Sequence, residues 1–276
     1  MAEHVGPFER VVCGIDGTRE SFEAARQASR LVTPGGRLLI VAVVEFYAAL
    51  EGRWGPQRGH WRMSMTSERR LGDLTAELRR RAAESLAQVT EQLGTGVDVA
   101  TSVVDGAPAE RLRDAAAAEG AGLLAVGTHG GGRLSGLALG EPTTMLLRDP
   151  PTSILVARRP FDPGGFPARI VVGLDGSEPS RAALAVAARI GERSGGRVTV
   201  VAAEGDDHAD AAEIGRMAGP HELVRTTGSA VDALVDAAQT ADLLVVGSRG
   251  LRGAKALGSV SERVAHRASS SVLVVT

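Results

Sequence analysis

Two glycine-rich segments hold the residues best suited to chemistry. The first runs Gly127-Thr128-His129-Gly130-Gly131-Gly132-Arg133-Leu134-Ser135-Gly136-Leu137-Ala138-Leu139-Gly140-Glu141. The second runs Gly247-Ser248-Arg249-Gly250-Leu251-Arg252-Gly253-Ala254-Lys255-Ala256-Leu257-Gly258-Ser259. Glycine lets backbone N–H groups approach an anion closely, and a helix starting just after the segment adds partial positive charge. Arg249, Arg252 and Lys255 supply cations, and Ser259 has a hydroxyl able to cap that helix and to donate to a phosphate oxygen. Phosphate binding is the chemistry these residues predict, and a solvated surface loop is the plain alternative. Earlier in the chain, Asp16-Gly17-Thr18 and Asp175-Gly176-Ser177 each follow an apolar run. Such an Asp can accept hydrogen bonds from an adenine amine or a ribose hydroxyl. Equally, Asp with Thr or Ser caps the next helix while Gly makes the turn.

The elements that position these residues emerge from an internal repeat. RVVCGIDGTRESFEAARQASRL from Arg10 recurs as RIVVGLDGSEPSRAALAVAARI from Arg169, and PGGRLLIVAVVE from Pro34 as SGGRVTVVAAE from Ser194. DGAPAERLRDAAAAEGAGLLAVGTHG from Asp105 matches TGSAVDALVDAAQTADLLVVGSRG from Thr227, and TSILVAR from Thr152 matches SSVLVVT at the C-terminus. The blocks keep their order, so a whole domain is duplicated, with boundaries expected at 1–158 and 168–276 around a Pro/Gly-rich linker, 159–167.

Each half alternates short apolar runs with Ala-rich helical stretches. Strands are predicted near 10–16, 38–44, 97–103, 122–127 and 153–157, and again near 169–175, 197–203, 222–226, 242–247 and 271–275. Helices are predicted near 19–32, 68–93, 108–119 and 142–148, then 178–193, 207–217, 229–239 and 259–268. Continuous apolar strands alternating with helices predict an α/β fold: parallel sheets covered on both faces. Such sheets bind ligands beyond the carboxyl ends of the strands, where strand order reverses. Both the Asp residues and the glycine segments fall there.

Composition removes several function classes. The formal net charge is -2, which provides no basic field for nucleic acid. No apolar run reaches the roughly 18 residues of a membrane span, and the N-terminal MAEHVGPFER has no signal-peptide pattern, so a cytoplasmic protein is expected. The one cysteine, Cys13, excludes an internal disulfide and reads as a small buried strand residue, a reactive thiol being the alternative. None of the six histidines shows metal-ligand spacing, and neither a Walker A pattern nor a G-x-G-x-x-G after the first strand is present.

With these residues in place, the chain resembles the universal stress protein family over nearly its whole length, as two tandem copies. The likeness rests on the strand-one Asp and on the G-x2-G-x9-G-[S/T] pattern of the family's ATP-binding members. The phrase Gly258-Ser259-Val260-Ser261-Glu262-Arg263-Val264 adds to it. The resemblance implies two open parallel five-stranded sheets of order 3-2-1-4-5, of the Rossmann-like, adenine nucleotide α-hydrolase-like type, paired through their fifth strands. It also implies that Asp16 and Asp175 meet adenine or ribose, and that Val43 and Ala203 offer backbone groups to adenine. Gly127, Gly130 and Gly140, with Gly247, Arg249, Gly250, Gly258 and Ser259, would then hold ribose and phosphates of ATP, with or without Mg²⁺. A homodimer and a regulatory protein partner follow by the same analogy.

Each copy departs from the pattern. The first keeps nine residues between Gly130 and Gly140 but places Glu141 where the hydroxyl belongs, and a carboxylate there repels phosphate unless a divalent metal bridges them. The second keeps Gly258-Ser259 with only seven residues after Gly250, and is the favoured site. The first half also inserts Phe46 to Thr66, which contains both tryptophans, Trp54 and Trp61, and reads as a lid, an interface segment or a disordered loop. Three functions follow: an ATP-dependent stress or dormancy regulator without dedicated catalysis, a slow ATP-hydrolysing enzyme, or a nucleotide-free dimerisation module.

Overall fold

The computed structural model describes residues 8–45, 65–93, 97–128, 139–158, 160, 165–204, 211–248 and 259–276. The first half comprises β1 (Phe8–Ile15), α1 (Arg19–Leu31), β2 (Val32–Val44), α2 (Met65–Gln92), β3 (Asp98–Asp105), α3 (Pro108–Glu119), β4 (Leu123–Gly127), α4 (Glu141–Arg148) and β5 (Ser153–Ala157). The second comprises β6 (Arg169–Gly173), α5 (Glu178–Ser194), β7 (Arg197–Glu204), α6 (Ala211–Ala218), β8 (Glu222–Thr227), α7 (Ala230–Ala237), β9 (Leu243–Gly247), α8 (Ser259–Arg267) and β10 (Ser271–Val275).

Strand sequences such as LLAVG, SILVA and SVLVV are apolar without alternation, and every residue of β4, β5 and β10 is buried. A strand of that kind needs cover on both faces. Val11, Cys13, Ile15, Leu123 and Ala125 face a layer formed by α1, α2, α5 and α6. Val12, Leu124 and Val126 face a second layer of α3, α4, α7 and α8. Cys13 is fully buried, and desolvation holds its thiol pKa far above the ordinary value. It is therefore a packing residue of β1.

The ten strands form one sheet, ordered β3-β2-β1-β4-β5-β10-β9-β6-β7-β8. Each half keeps the expected 3-2-1-4-5 order, and its strands pair in parallel. The halves join where β5 meets β10 antiparallel, with Val156 opposite Val272, Leu155 opposite Leu273 and Ile154 opposite Val274. All six of these side chains are 0% exposed, so the join is core and not a contact between finished surfaces. Two hydroxyls close its ends symmetrically. Arg158 N donates to Ser271 Oγ at 3.1 Å, and Thr276 N donates to Ser153 Oγ at 3.3 Å.

Two elements and one residue differ from the sequence reading. β2 starts at Val32, directly after α1, and Pro34-Gly35-Gly36 is absorbed at an irregularity in the register with β1. α2 starts at Met65, inside the expected insertion, whose residues 46–64 lie outside the described ones. Phe166, placed in the linker by its Pro/Gly neighbours, is 4% exposed and packs into the core. Among the described residues no helix is long and apolar enough to cross a membrane.

Truncating Leu273 to Ala is expected to lower unfolding free energy by about 2–5 kcal/mol, the range for deleting a fully buried Leu. Leu155→Ala should cost a similar amount. Because the two residues face each other across the join, the double variant should be non-additive in urea denaturation.

Candidate functional site

In each half the first strand has the second on one side and the fourth on the other, so the chain leaves the sheet in opposite directions and opens a crevice. The first crevice, about 90 Å³, is lined by Ile15, Asp16, Val41, Val43, Leu112 and Gly127, among others. The second, about 100 Å³, is lined by Leu174, Asp175, Val201, Ala203, Leu234 and Gly247 among its residues. The two are similar in size and mostly apolar. What distinguishes them is the polar rim.

Each Asp is held by its own turn. Thr18 N and Thr18 Oγ1 donate to Asp16 Oδ1 at 3.0 and 2.6 Å. Ser177 N and Ser177 Oγ donate to Asp175 Oδ1 at 3.0 and 2.5 Å. The same hydroxyls cap the following helices, Thr18 Oγ1 accepting from Ser21 N and Ser177 Oγ from Ser180 N. Behind them, Ser21 Oγ accepts from Asp16 N, and Ser180 Oγ from Asp175 N, both at 3.3 Å. The capping role is therefore realised in both halves, and it also fixes each carboxylate at a crevice. Asp175 is half-buried, whereas Asp16 is exposed.

The strand-four glycines have a packing reason that local sequence does not reveal. A Cβ on Gly247 would lie 2.3 Å from Pro179 O in the first turn of α5. A Cβ on Gly127 would lie 2.9 Å from Glu20 C and Ser21 N in the first turn of α1. These glycines let the helix that follows strand one begin directly against the end of strand four. Val43 and Ala203 line their crevices from the ends of β2 and β7.

The last helices differ. Gly140 is the N-cap of α4, and its N–H donates to Thr128 O at 2.7 Å. Glu141 and Pro142 occupy the first turn, with Glu141 exposed. Ser259 begins α8. Gly130, Arg249, Gly250 and Gly258 lie outside the described residues.

Several lining residues escaped the sequence reading. Pro108 and Leu112 of α3 reach the first crevice, and Ala230 and Leu234 of α7 the second. A Cβ on Gly14 would lie 2.6 Å from Leu112 Cδ1, so that glycine admits the leucine over the sheet. Thr143 and Ser261, both buried, line the two crevices, and Thr143 Oγ1 donates to Gly127 O at 2.9 Å. A hydroxyl three residues after the last glycine of each segment was the available signal.

The model of the universal stress protein family matches residues 7–158 and 202–276. No curated protein matches the sequence. Among solved structures, a universal stress protein from Archaeoglobus fulgidus is similar at 16% identity and a TM-score of 0.66, with 99% of this chain and 97% of that one covered. A protein of unknown function from Pseudomonas aeruginosa PAO1 is similar at 17% identity and a TM-score of 0.62, covering 99% and 94%. A putative universal stress protein from Pseudomonas aeruginosa UCBPP-PA14 is similar at 19% identity and a TM-score of 0.62, covering 97% and 93%. At these identities the likeness establishes the fold.

Gly247→Ala should displace the first turn of α5 and destabilise the protein by about 1–3 kcal/mol, the usual cost of overpacking. Gly127→Ala meets looser contacts and should cost less. Urea unfolding of the two variants checks the ranking, and equal costs would contradict the packing account.

Proposed function

The chain belongs to the universal stress protein family, and from that premise we propose that it binds ATP, with Mg²⁺, as a nucleotide-dependent regulator of a stress or dormant state. Dedicated catalysis is not part of this reading. The observation that carries it is the pairing, at each strand reversal, of an apolar crevice with an Asp fixed by its own turn. In the second half, Leu174, Val201 and Leu234 offer apolar surface for a base, Ala203 offers backbone groups, and Asp175 an acceptor for ribose or adenine. Gly247, Gly250, Gly258 and Ser259 would serve ribose and phosphates, with Arg249 adding charge. Asp16, Val43, Gly127, Gly130 and Gly140 are the counterparts in the first half. A bound Mg²⁺ would offset part of the phosphate charge.

The second half is the better ATP site. Its Asp is half-buried, its last helix opens on Ser where α4 opens on Glu141, and residues 249–258 include three cations. Two domains at 1–158 and 168–276 joined by 159–167, a homodimer, a regulatory protein partner and a cytoplasmic location complete the proposal.

Denaturing the purified protein and identifying released small molecules by mass spectrometry should yield ATP or ADP. Calorimetry with Mg-ATP should show binding that Asp175→Ala weakens about tenfold or more, as expected for losing a hydrogen bond to a charged group. Asp16→Ala should have the smaller effect. No release and no calorimetric binding would leave the dimerisation module as the surviving reading. Steady turnover abolished by Asp175→Ala would move the hydrolytic enzyme ahead.

A further inference from the structure

The two crevices have the same walls but opposite treatment of charge at the last helix. A helix N-terminus attracts anions through its first-turn N–H groups and the helix dipole. At α4 two of the four leading donors, those of Gly140 and Pro142, are withdrawn. The Gly140 N–H is spent on Thr128 O at 2.7 Å, and Pro142 has no N–H to give. The Thr143 hydroxyl donates to Gly127 O. Glu141, exposed in the first turn, places a carboxylate where the helix dipole favours an anion. Asp16 adds a second exposed carboxylate, whereas Asp175 in the second half is half-buried, and the described residues lining either crevice include no Lys or Arg. What remains is apolar surface from Ile15, Val41, Val43, Leu112 and Val126, with an acceptor at the rim. In the second half the corresponding residues are Ser259-Val260-Ser261, all of which carry an N–H.

We infer that the first-half crevice is a site for an uncharged nucleoside that rejects nucleoside polyphosphates. This rests on the adenine-nucleotide reading above and divides the two sites by ligand charge. The base and the hydroxyl-bearing sugar would be recognised as in the second half, while Glu141 repels the phosphate chain. One chain would then hold a nucleoside and a nucleotide at once.

The test is calorimetry on the full chain with adenosine and Mg-ATP, on the wild type and on the double variant Glu141→Ser, Pro142→Val. That variant gives α4 the opening residues of α8 at one exposed and one half-buried position. The wild type should bind one Mg-ATP per chain and, once saturated with it, still take up one adenosine. In the double variant a second Mg-ATP should bind, at least about tenfold tighter than any second event in the wild type. Equal binding of two Mg-ATP by the wild type would overturn the inference while leaving the nucleotide reading standing. So would a saturated chain that takes no adenosine, or a double variant with unchanged Mg-ATP binding. Binding of neither ligand would remove both.

Discussion

The antiparallel pairing of β5 with β10 is the interaction on which the rest of the structure depends. In an open 3-2-1-4-5 sheet the fifth strand is an edge, with a row of unpaired N–H and C=O groups. Here that strand is SILVA in one half and SVLVV in the other, buried along its whole length. Such a strand cannot stand at an edge in water without exposing both its backbone and its apolar side chains. Each half supplies the missing neighbour of the other, and the core on either face runs without a break across the join. The true edges are β3 and β8, which carry exposed charged residues such as Asp98, Glu222 and Arg225.

This join also decides where the two crevices open. Strands within a half are parallel, and the halves meet antiparallel. The carboxyl ends of β1 and β4 therefore lie at the opposite end of the sheet from those of β6 and β9. The two sites share a core but do not face one another. Among the described residues the packed sheet is what links the two rims, which leaves them free to differ.

Much of this was readable in the sequence, for physical reasons that can be named. Five-residue runs such as LLAVG announce burial on both faces, and the ordered recurrence of blocks announces duplication. Asp16 and Asp175 could be placed at the strand ends, because a turn residue followed by a helix cap is a local signal. What stayed hidden was long-range. Gly127 and Gly247 look like loop glycines, yet their shape is dictated by Glu20, Ser21 and Pro179, more than sixty residues away in each case. Leu112 and Leu234 look like ordinary helix core residues, and only the fold brings them over Gly14 and Gly173 at the crevices. Phe166 was lost among prolines and glycines, since composition reports chain flexibility and not what one aromatic ring can bury against.

The divergence of the two rims follows from which constraints are shared. The Asp-Gly-Thr/Ser turn caps a helix in both halves, and the strand-four glycine clears a helix in both. These features are held by folding whether or not a ligand binds, so their recurrence says little about binding. The opening of the last helix carries no such obligation. α4 starts on Glu141-Pro142 and α8 on Ser259-Val260, and both helices pack their later residues, Leu146 and Leu147 or Val264 and Ala265, against the same layer. A first turn tolerates Pro and favours a carboxylate as readily as a hydroxyl. Folding is thus indifferent to the change at the one place where a phosphate would feel it most. Functional difference between the halves belongs there, while the shared turn and glycines build the crevice that both halves keep.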